Sequence, residues 1–275
     1  MRRHIGYRIA AHVVLLAGSV VMLFPFIWTV ATSLKDISEV FTFPPKLLGK
    51  ELRWDNYVKV WERYPFDRFF LNTVKITAIV VVGQLLTSSM AGYVFARLRF
   101  RGRDTLFLLY LATIIIPVQV TVIPNFFQMK LYGLLDTHWS LILPGLVSAF
   151  GTFLLRQFFL TIPAALEEAA KIDGCNPFGI YWRIFVPLSK PAMATLGIFI
   201  CNGVWNDFYN PLIFLNSTNK MTLTLGLATM QGLYSTDWPV LMAATTISIL
   251  PIIIVFLLAQ DLFVRGVTLS GLKGE

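Results

Sequence analysis

Cysteine and histidine are scarce in this chain, which has two cysteines and three histidines among its 275 residues. Cys175 and Cys201 are too few for a disulfide framework or a cysteine-based metal site. The three histidines, His4, His12 and His138, are scattered and form no ligand pair of the H-E-x-x-H kind. The sequence therefore predicts no metal site in this chain.

A nucleotide-binding loop and a catalytic domain are also missing. The string LLGKE at residues 47–51 lacks the earlier glycine and the following Ser or Thr of a phosphate-binding loop. The longest segment between apolar stretches, residues 35–75, is much shorter than a typical catalytic domain. No cluster of His, Asp and Glu suggests a membrane-embedded enzyme. We therefore expect no catalytic residue and no cofactor in this chain, so that another protein must supply the energy for any pumping.

Charge is the third scarcity, because only 14% of the residues are charged and 56% are hydrophobic, with a mean hydropathy of +0.68. This composition excludes an ordinary soluble domain and indicates a lipid bilayer as the solvent. A helix needs about 20 mostly apolar residues to cross a hydrocarbon core of about 30 Å. Six stretches meet or nearly meet this length: residues 9–34, 69–96, 105–129, 137–160, 191–217 and 239–262. We predict an all-α polytopic protein with six transmembrane helices in a single membrane domain over residues 1–275.

The distribution of basic residues predicts how the chain is oriented. More than half of its 23 lysines and arginines fall on one side of the predicted spans, and the loop RLRFRGR at residues 97–103 contributes most strongly. On the other side, most basic residues lie between Lys35 and Arg68, interleaved with acidic ones. The positive-inside rule then places both termini in the cytoplasm. A membrane-facing role explains the basic loop, and we expect no nucleic-acid partner.

The loop at residues 161–190, between the fourth and fifth spans, is unusually polar and lies on the cytoplasmic side by this count. Its first part, LEEAAKIDG, predicts a short helix supported by a Glu167–Lys171 pair and ended by Gly174. Asn176 and Pro177 then start a second short helix that is expected to stop before Pro187. The sequence therefore predicts a helix-turn-helix outside the membrane.

The spacing within this loop resembles the EAA signature of ABC importer permeases. Glu168, Ala169 and Ala170 are followed by Gly174 and then by I-F-V-P at residues 184–187, where the family pattern has Leu in place of Val186. Further segments in the family's order, including AGYVFARLRFRGR, VWNDFYNPLIFL and GVTLSGLKG, are similar to the smaller six-span permease of maltose-type carbohydrate importers. The resemblance implies that these residues couple the chain to an ATPase: Glu167, Glu168, Ala169, Ala170, Asp173, Gly174, Ile184 and Pro187.

The same resemblance implies a type I ABC importer permease fold and several partners. These are a second permease subunit, two copies of an ATPase subunit that bind ATP and Mg, and an extracytoplasmic sugar-binding protein, assembled in a bacterial or archaeal inner membrane. The chain would form half of a carbohydrate pathway that works by alternating access. Two alternatives remain open: a permease for another solute, such as a polyol, glycerol phosphate or amino acid, and an ion-coupled secondary transporter or channel. The latter should carry more charges within the membrane and no coupling loop.

The fifth predicted span carries the polar pattern that best suits a sugar. At 100° per residue, amides and aromatic rings recur on one face, at Asn202, Trp205, Asn206 and Tyr209. Sugar hydroxyls need hydrogen-bond partners, and sugar rings stack on aromatic ones, but the same residues also serve helix packing in membranes. In the third span, Pro117 and Pro124 predict kinks on either side of Gln119. Those five polar and aromatic residues are our candidates for the substrate pathway.

Overall fold

The computed structural model describes residues 2–232 and 235–271, with side chains for residues 11–232 and 235–260. Within these ranges the chain is helical, and an isolated bridge between Gln231 and Thr236 is the only extended pairing. The predicted all-α class is therefore confirmed.

The described residues form fourteen α-helices. The α-helices are α1 Arg2–Ser33, α2 Asp55–Arg63, α3 Phe66–Arg97, α4 Arg103–Ala112, α5 Val118–Leu131, α6 Trp139–Gly145, α7 Ala149–Thr161, α8 Ala164–Ile172, α9 Pro177–Ile180, α10 Val186–Leu188, α11 Lys190–Trp205, α12 Tyr209–Phe214, α13 Leu223–Thr229 and α14 Trp238–Gly271. Turns of 3-10 helix occupy Ile37–Glu39, Thr113–Ile115 and Thr218–Lys220, and a π-helical turn occupies Tyr181–Phe185.

Four helical segments in the described part are long and apolar enough to cross a membrane: Ala11–Ser33, Phe66–Arg97, Trp139–Thr161 and Trp238–Gln260. They match the predicted spans 9–34, 69–96, 137–160 and 239–262, although α14 continues as a helix to Gly271. Two further pairs of helices are bent at a break, and the number of spans is six if each pair crosses once.

The predicted third span, residues 105–129, is not one straight helix. Arg103–Ile115 and Val118–Leu131 meet at an angle of 101°. The break falls at Ile116, which has the extended backbone that a following proline imposes. Pro117 thus produces the predicted disruption, whereas Pro124 lies inside α5 without ending it.

The predicted fifth span, residues 191–217, is interrupted after Trp205 and resumes as α12 at Tyr209. Pro211 explains the interruption, because it has no N–H to donate to the carbonyl of Asp207, four residues earlier. That carbonyl accepts instead from the hydroxyl of Thr224 at 2.6 Å. The predicted span 191–217 therefore consists of two helices rather than one.

Two compact units divide the chain, one of residues Met1–Asp67 and Gly226–Leu250, the other of Arg68–Leu225 and Pro251–Glu275. In the first unit, the end of α1 is held by the buried amide of Asn56, which donates to the carbonyls of Ser33 and Lys35 at 2.9 Å each. The buried Lys35 ammonium lies 4.8 Å from the centre of the Trp28 ring. The single permease domain expected over residues 1–275 remains a prediction.

The second unit is built on close approach between α3 and α7. A Cβ on Gly92 would lie 3.0 Å from the backbone nitrogen of Arg156, and one on Gly151 would lie 2.6 Å from the Ser88 hydroxyl. Glycine therefore allows the two helices to pack nearly backbone to backbone. Residues of α3, α6, α7 and α11 share a buried core with Ile180, Tyr181 and Phe185 of the predicted cytoplasmic loop, so this core fixes the position of that loop.

Candidate functional site

The predicted helix-turn-helix is present, and we call residues 164–188 the hairpin. Its first helix, α8, ends in the hydrogen-bond pattern of a Schellman cap: the N–H of Gly174 donates to Lys171 and that of Cys175 to Ala170. Gly174 has φ +76°, a conformation that glycine adopts without strain. Asn176 caps α9 by accepting from the N–H of Gly179 at 2.7 Å. These local predictions are confirmed.

The second leg of the hairpin differs from the prediction that it stops before Pro187. The backbone passes through the π-helical turn into α10, and Pro187 lies in the first turn of that helix. The π-helical turn directly before Pro187 lets the helix continue to Leu188. Ile184 is half-buried and packs against the core, whereas Pro187 is exposed.

The hairpin turns one face toward the core and leaves the other exposed. Glu167 and Ala170 are buried, whereas Glu168, Ala169 and Asp173 are exposed. Two large apolar side chains stand out at its tip, since Ile172 is 86% and Phe178 64% exposed. Both side chains lie outside the predicted spans.

Arg97, at the end of α3, ties the hairpin to the rest of the second unit. Its guanidinium donates to the carbonyl of Phe159 at 2.6 Å and to that of Ile162, and it lies 3.9 Å from the Glu167 carboxylate and 5.0 Å from the Phe185 ring. Sequence reasoning missed this role, because Arg97 was interpreted only as part of a basic loop. Its position at the helix end was the available signal.

The candidate pathway residues do not form one helical face. Asn202 and Asn206 are exposed and bonded to each other, since the Asn206 amide donates to both the carbonyl and the side-chain oxygen of Asn202 at 2.9 and 3.0 Å. Trp205, by contrast, is buried with its ring 5.9 Å from that of Phe70. Trp205 therefore does not share the exposed face of the two asparagines, and its place in the pathway remains a prediction.

Two further pathway candidates lie on other helices. Tyr209 is exposed on α12, beyond the break, and Gln119 is exposed on the first turn of α5. Because the breaks separate both from α11, their positions do not follow from a helical repeat. Asn202 and Asn206 are the two candidates that the structure brings together.

A polar cluster at residues 136–138 and 216–220 was not anticipated. The Asp136 carboxylate accepts from the Ser217 hydroxyl at 2.5 Å, from the N–H groups of Asn216 and Ser217 at 2.9 Å each, and from the Lys220 ammonium at 3.0 Å. These hydrogen bonds, with the Ser217 hydroxyl first, hold the pKa of Asp136 well below its usual range. Asp136 thereby joins the segment before α6 to the segment after α12.

A cavity of about 260 Å³ borders this cluster. Its lining includes three basic side chains, Lys75, His138 and Lys220, beside Trp139. Lys220 is already paired with Asp136. Among the side chains that the structure describes, no three His, Cys, Asp or Glu residues could bind a metal ion together.

Comparison with known proteins extends these observations over most of the chain. The family described as "Binding-protein-dependent transport system inner membrane component" matches residues 85–269. The arabinooligosaccharides transport system permease protein AraQ of Bacillus subtilis is 34% identical, over 98% of this chain and 96% of that protein. The sn-glycerol-3-phosphate transport system permease protein UgpE of Yersinia pestis is also 34% identical, over 95% and 96%.

A solved structure agrees with these sequence relatives. One chain of a bacterial ABC transporter involved in the import of the acidic polysaccharide alginate has a TM-score of 0.85 and 27% identity, covering 96% of this chain and 98% of that one. The helices, the hairpin and the matched sequence together establish that this multi-pass membrane protein belongs to the family of binding-protein-dependent transport system inner membrane components.

Proposed function

We propose that this chain is one of two permease subunits of an ATP-driven importer and forms half of its pathway for a carbohydrate. A second permease would complete the pathway, two ATPase subunits would bind ATP and Mg and perform the hydrolysis, and an extracytoplasmic protein would deliver the sugar. The chain itself would have no catalytic role. It would lie in a bacterial or archaeal inner membrane, with both termini and the hairpin in the cytoplasm.

The hairpin is the observation that carries this proposal. Its exposed apolar tip, Ile172 and Phe178, offers a surface for an ATPase subunit, and Glu168, Ala169 and Asp173 lie exposed on the same hairpin. Its other side is fixed to the core through Ala170, Ile180 and Phe185. Because the hairpin is packed on this core, a movement of the bound ATPase subunit would displace the membrane helices together with the hairpin.

A carbohydrate is the substrate class best supported. The relatives include a permease for arabinooligosaccharides and a transporter for alginate. In this chain, the exposed amides of Asn202 and Asn206 are already oriented by a mutual hydrogen bond, and exposed Tyr209 supplies an aromatic ring nearby in sequence. Amide and aromatic groups together suit the hydroxyls and ring faces of a sugar.

A second candidate substrate is glycerol phosphate. The Yersinia relative is named as an sn-glycerol-3-phosphate permease, and the ammonium of Lys75, which lines the cavity beside Trp139, favours an anion. Identification of the solute that copurifies with the cognate binding protein separates the two candidates.

Copurification with the ATPase tests the hairpin's role. A charge at its apolar tip, in Ile172→Glu with Phe178→Glu, should reduce the ATPase recovered with the permeases at least about tenfold, because buried anchor residues carry most of an interface's binding free energy. Uptake of labelled oligosaccharide into proteoliposomes, with ATP inside and binding protein outside, should fall in parallel.

The matched control is Phe43→Glu, which changes an exposed aromatic residue in the segment between α1 and α2, on the opposite side of the predicted membrane. It should leave ATPase recovery unchanged. Normal ATPase recovery and normal uptake in the double hairpin variant would contradict a coupling role for the hairpin.

A further inference from the structure

A single, largely buried cation contacts both legs of the hairpin and the end of α7, the helix that precedes it. Arg97 is the last residue of α3, and its side chain is only 11% exposed. One of its terminal nitrogens donates to the carbonyls of Phe159 and Ile162, at the end of α7. The last carbonyls of a helix have no partner within it, and a cation there also complements the helix dipole. Arg97 therefore binds the end of α3 to the end of α7.

The same guanidinium holds both legs of the hairpin. Its other terminal nitrogen lies 3.9 Å from the Glu167 carboxylate on α8, which is 10% exposed. Its carbon lies 5.0 Å from the centre of the Phe185 ring, in the second leg. Glu167 also accepts from Lys171 at 2.7 Å, but the Lys171 side chain is 58% exposed. The interior partner of Glu167 is thus Arg97.

Aromatic packing already attaches the hairpin, so the ion pair is not needed for attachment. The Phe185 ring lies 4.9 Å from Tyr93 and 5.6 Å from Phe159, between centroids, and all three side chains are buried. Buried ion pairs add little to stability compared with apolar groups of the same size, because both charges lose water. The hydrogen bonds of the guanidinium to the two carbonyls are directional and fix how the ends of α3 and α7 are oriented. An apolar cluster alone permits small rotations, which are resisted by a guanidinium that is hydrogen-bonded to two carbonyls and lies 3.9 Å from a carboxylate of opposite charge.

We propose that Arg97 and Glu167 form the joint through which displacement of the hairpin moves α3 and α7 as one body. Both are positioning residues, and neither needs to touch ATP or the transported solute. This inference rests on the proposed function, because it assumes that an ATPase displaces the hairpin. Without the joint, the hairpin still binds the ATPase, but its movement is absorbed locally and ATP is hydrolysed without transport.

The test measures solute uptake and ATP hydrolysis in the same proteoliposomes, which contain both permeases and the ATPase, with solute-loaded binding protein. Arg97→Gln and Glu167→Gln keep hydrogen-bonding capacity but remove the charges. Each should lower uptake per ATP hydrolysed at least tenfold, while copurified ATPase and the hydrolysis rate stay within twofold of the unsubstituted complex. Arg97→Lys, which keeps the charge without the planar fork, should restore part of the ratio.

Arg156→Gln is the matched control. Arg156 is an arginine on α7 whose side chain is 16% exposed. It lies over the Phe107 ring at 4.2 Å and 3.8 Å from the Asp104 carboxylate, and it donates to the backbone carbonyl of Phe95. Its described contacts are with α3 and α4 rather than with the hairpin. It should reduce thermal stability about as much as Arg97→Gln and leave uptake per ATP unchanged.

The possible outcomes distinguish failure of the Arg97–Glu167 joint from failure of the proposed importer function. An unchanged ratio in Glu167→Gln, with normal assembly, would overturn the joint, as would an equal fall in Arg156→Gln. If Arg97→Gln fails to assemble, Glu167→Gln decides, since it leaves the bonds of Arg97 to α7 in place. A complex without these substitutions that assembles with the ATPase but takes up no solute would instead contradict the proposed function.

Discussion

Single polar residues connect distant segments of this mostly apolar chain, and Asp136 is an example outside the predicted spans. Its backbone has φ +54°, which few residues other than glycine, Asn and Asp adopt readily. Its carboxylate gathers two backbone N–H groups, a hydroxyl and an ammonium from residues 216–220. One side chain thereby closes a contact between segments about 80 residues apart in sequence.

The lowered pKa of Asp136 predicts a pH-dependent stability. Because the folded state favours the charged carboxylate, its stabilisation is complete above the ordinary Asp pKa of about 4 and is lost as the pH falls below that value. Asp136→Asn keeps the backbone preference and removes the charge. At pH 7 it should cost about 1 kcal/mol, a modest value because the side chain is 25% exposed.

Apparent melting temperatures of the purified complex measure this difference. At pH 7 the variant should melt about 2–4 °C below the unsubstituted protein. The two curves should begin to converge only below about pH 4, and part of the difference should remain at pH 3, because the pKa of folded Asp136 lies well below its usual range. Other carboxylates titrate in both proteins, so the difference between them isolates Asp136. A difference that does not shrink between pH 5 and pH 3 would contradict the assignment.

Residues whose roles depend on neighbours in sequence were predicted, and those whose roles depend on distant partners were not. Asn176 caps a helix through an N–H three residues on, and Gly174 ends one by its own backbone conformation. Arg97 acts through residues 62 to 70 positions away. Nothing in one sequence states which distant carbonyls and carboxylate it will meet.

At the scale of whole helices, length and polarity predicted six spans, of which four match unbroken segments of the structure. The rule that proline ends helices identified Pro117 and Pro124 as disturbances. It did not say whether each would kink or interrupt its helix, because that depends on whether another group takes over the freed carbonyl. Thr224 does so for Asp207. The interruption moves Tyr209 off α11 and removes the helical register on which the predicted stripe depended.

The break gives the pathway hypothesis a sharper test. In a background of Cys175→Ser and Cys201→Ala, cysteines at Asn202 and Asn206 should react with a small water-soluble thiol reagent if this exposed pair lines the pathway. A cysteine at buried Ile200 should react at least about tenfold more slowly, because packed side chains exclude the reagent. Labelling rates are measured on the assembled transporter in membranes.

The two states of an alternating-access transporter should label differently. Added solute, or ATP with a hydrolysis-blocked ATPase, should change the rates at positions 202 and 206 and leave position 200 slow, because the side of the membrane that wets the pathway changes. Exposure in the isolated chain is compatible with contact to lipid or to the second permease. Protection of both positions in every state would assign the asparagine pair to one of those contacts.

At the scale of the whole molecule, the bent helix pairs decide the topology. The charge distribution favours six crossings with both termini in the cytoplasm, whereas four segments are long enough to cross without a break. The pair Arg103–Ile115 and Val118–Leu131 is bent by 101°, an angle that suits a broken span or a re-entrant loop. The loop after α5 is extracytoplasmic if the pair crosses the membrane and cytoplasmic if the pair re-enters. The hairpin, which follows one further crossing, is cytoplasmic in the first arrangement and extracytoplasmic in the second.

Reporter fusions distinguish the two arrangements, because each reporter shows on which side of the membrane the loop that carries it lies. If the bent pair crosses, green fluorescent protein should fluoresce after Arg101 and after Gly174, and alkaline phosphatase should be active after Gly133 and after Ser217. If the pair re-enters, phosphatase should be inactive after Gly133 and active after Gly174. We expect the first pattern, because a re-entrant pair would put the hairpin outside the cell, where no ATPase could reach it.

Replacing Arg99, Arg101 and Arg103 by Gln should reduce the fraction of molecules with this pattern, since these arginines supply the strongest orienting charge. An active phosphatase after Gly174 in the unsubstituted chain would contradict both the six-span topology and the coupling role of the hairpin.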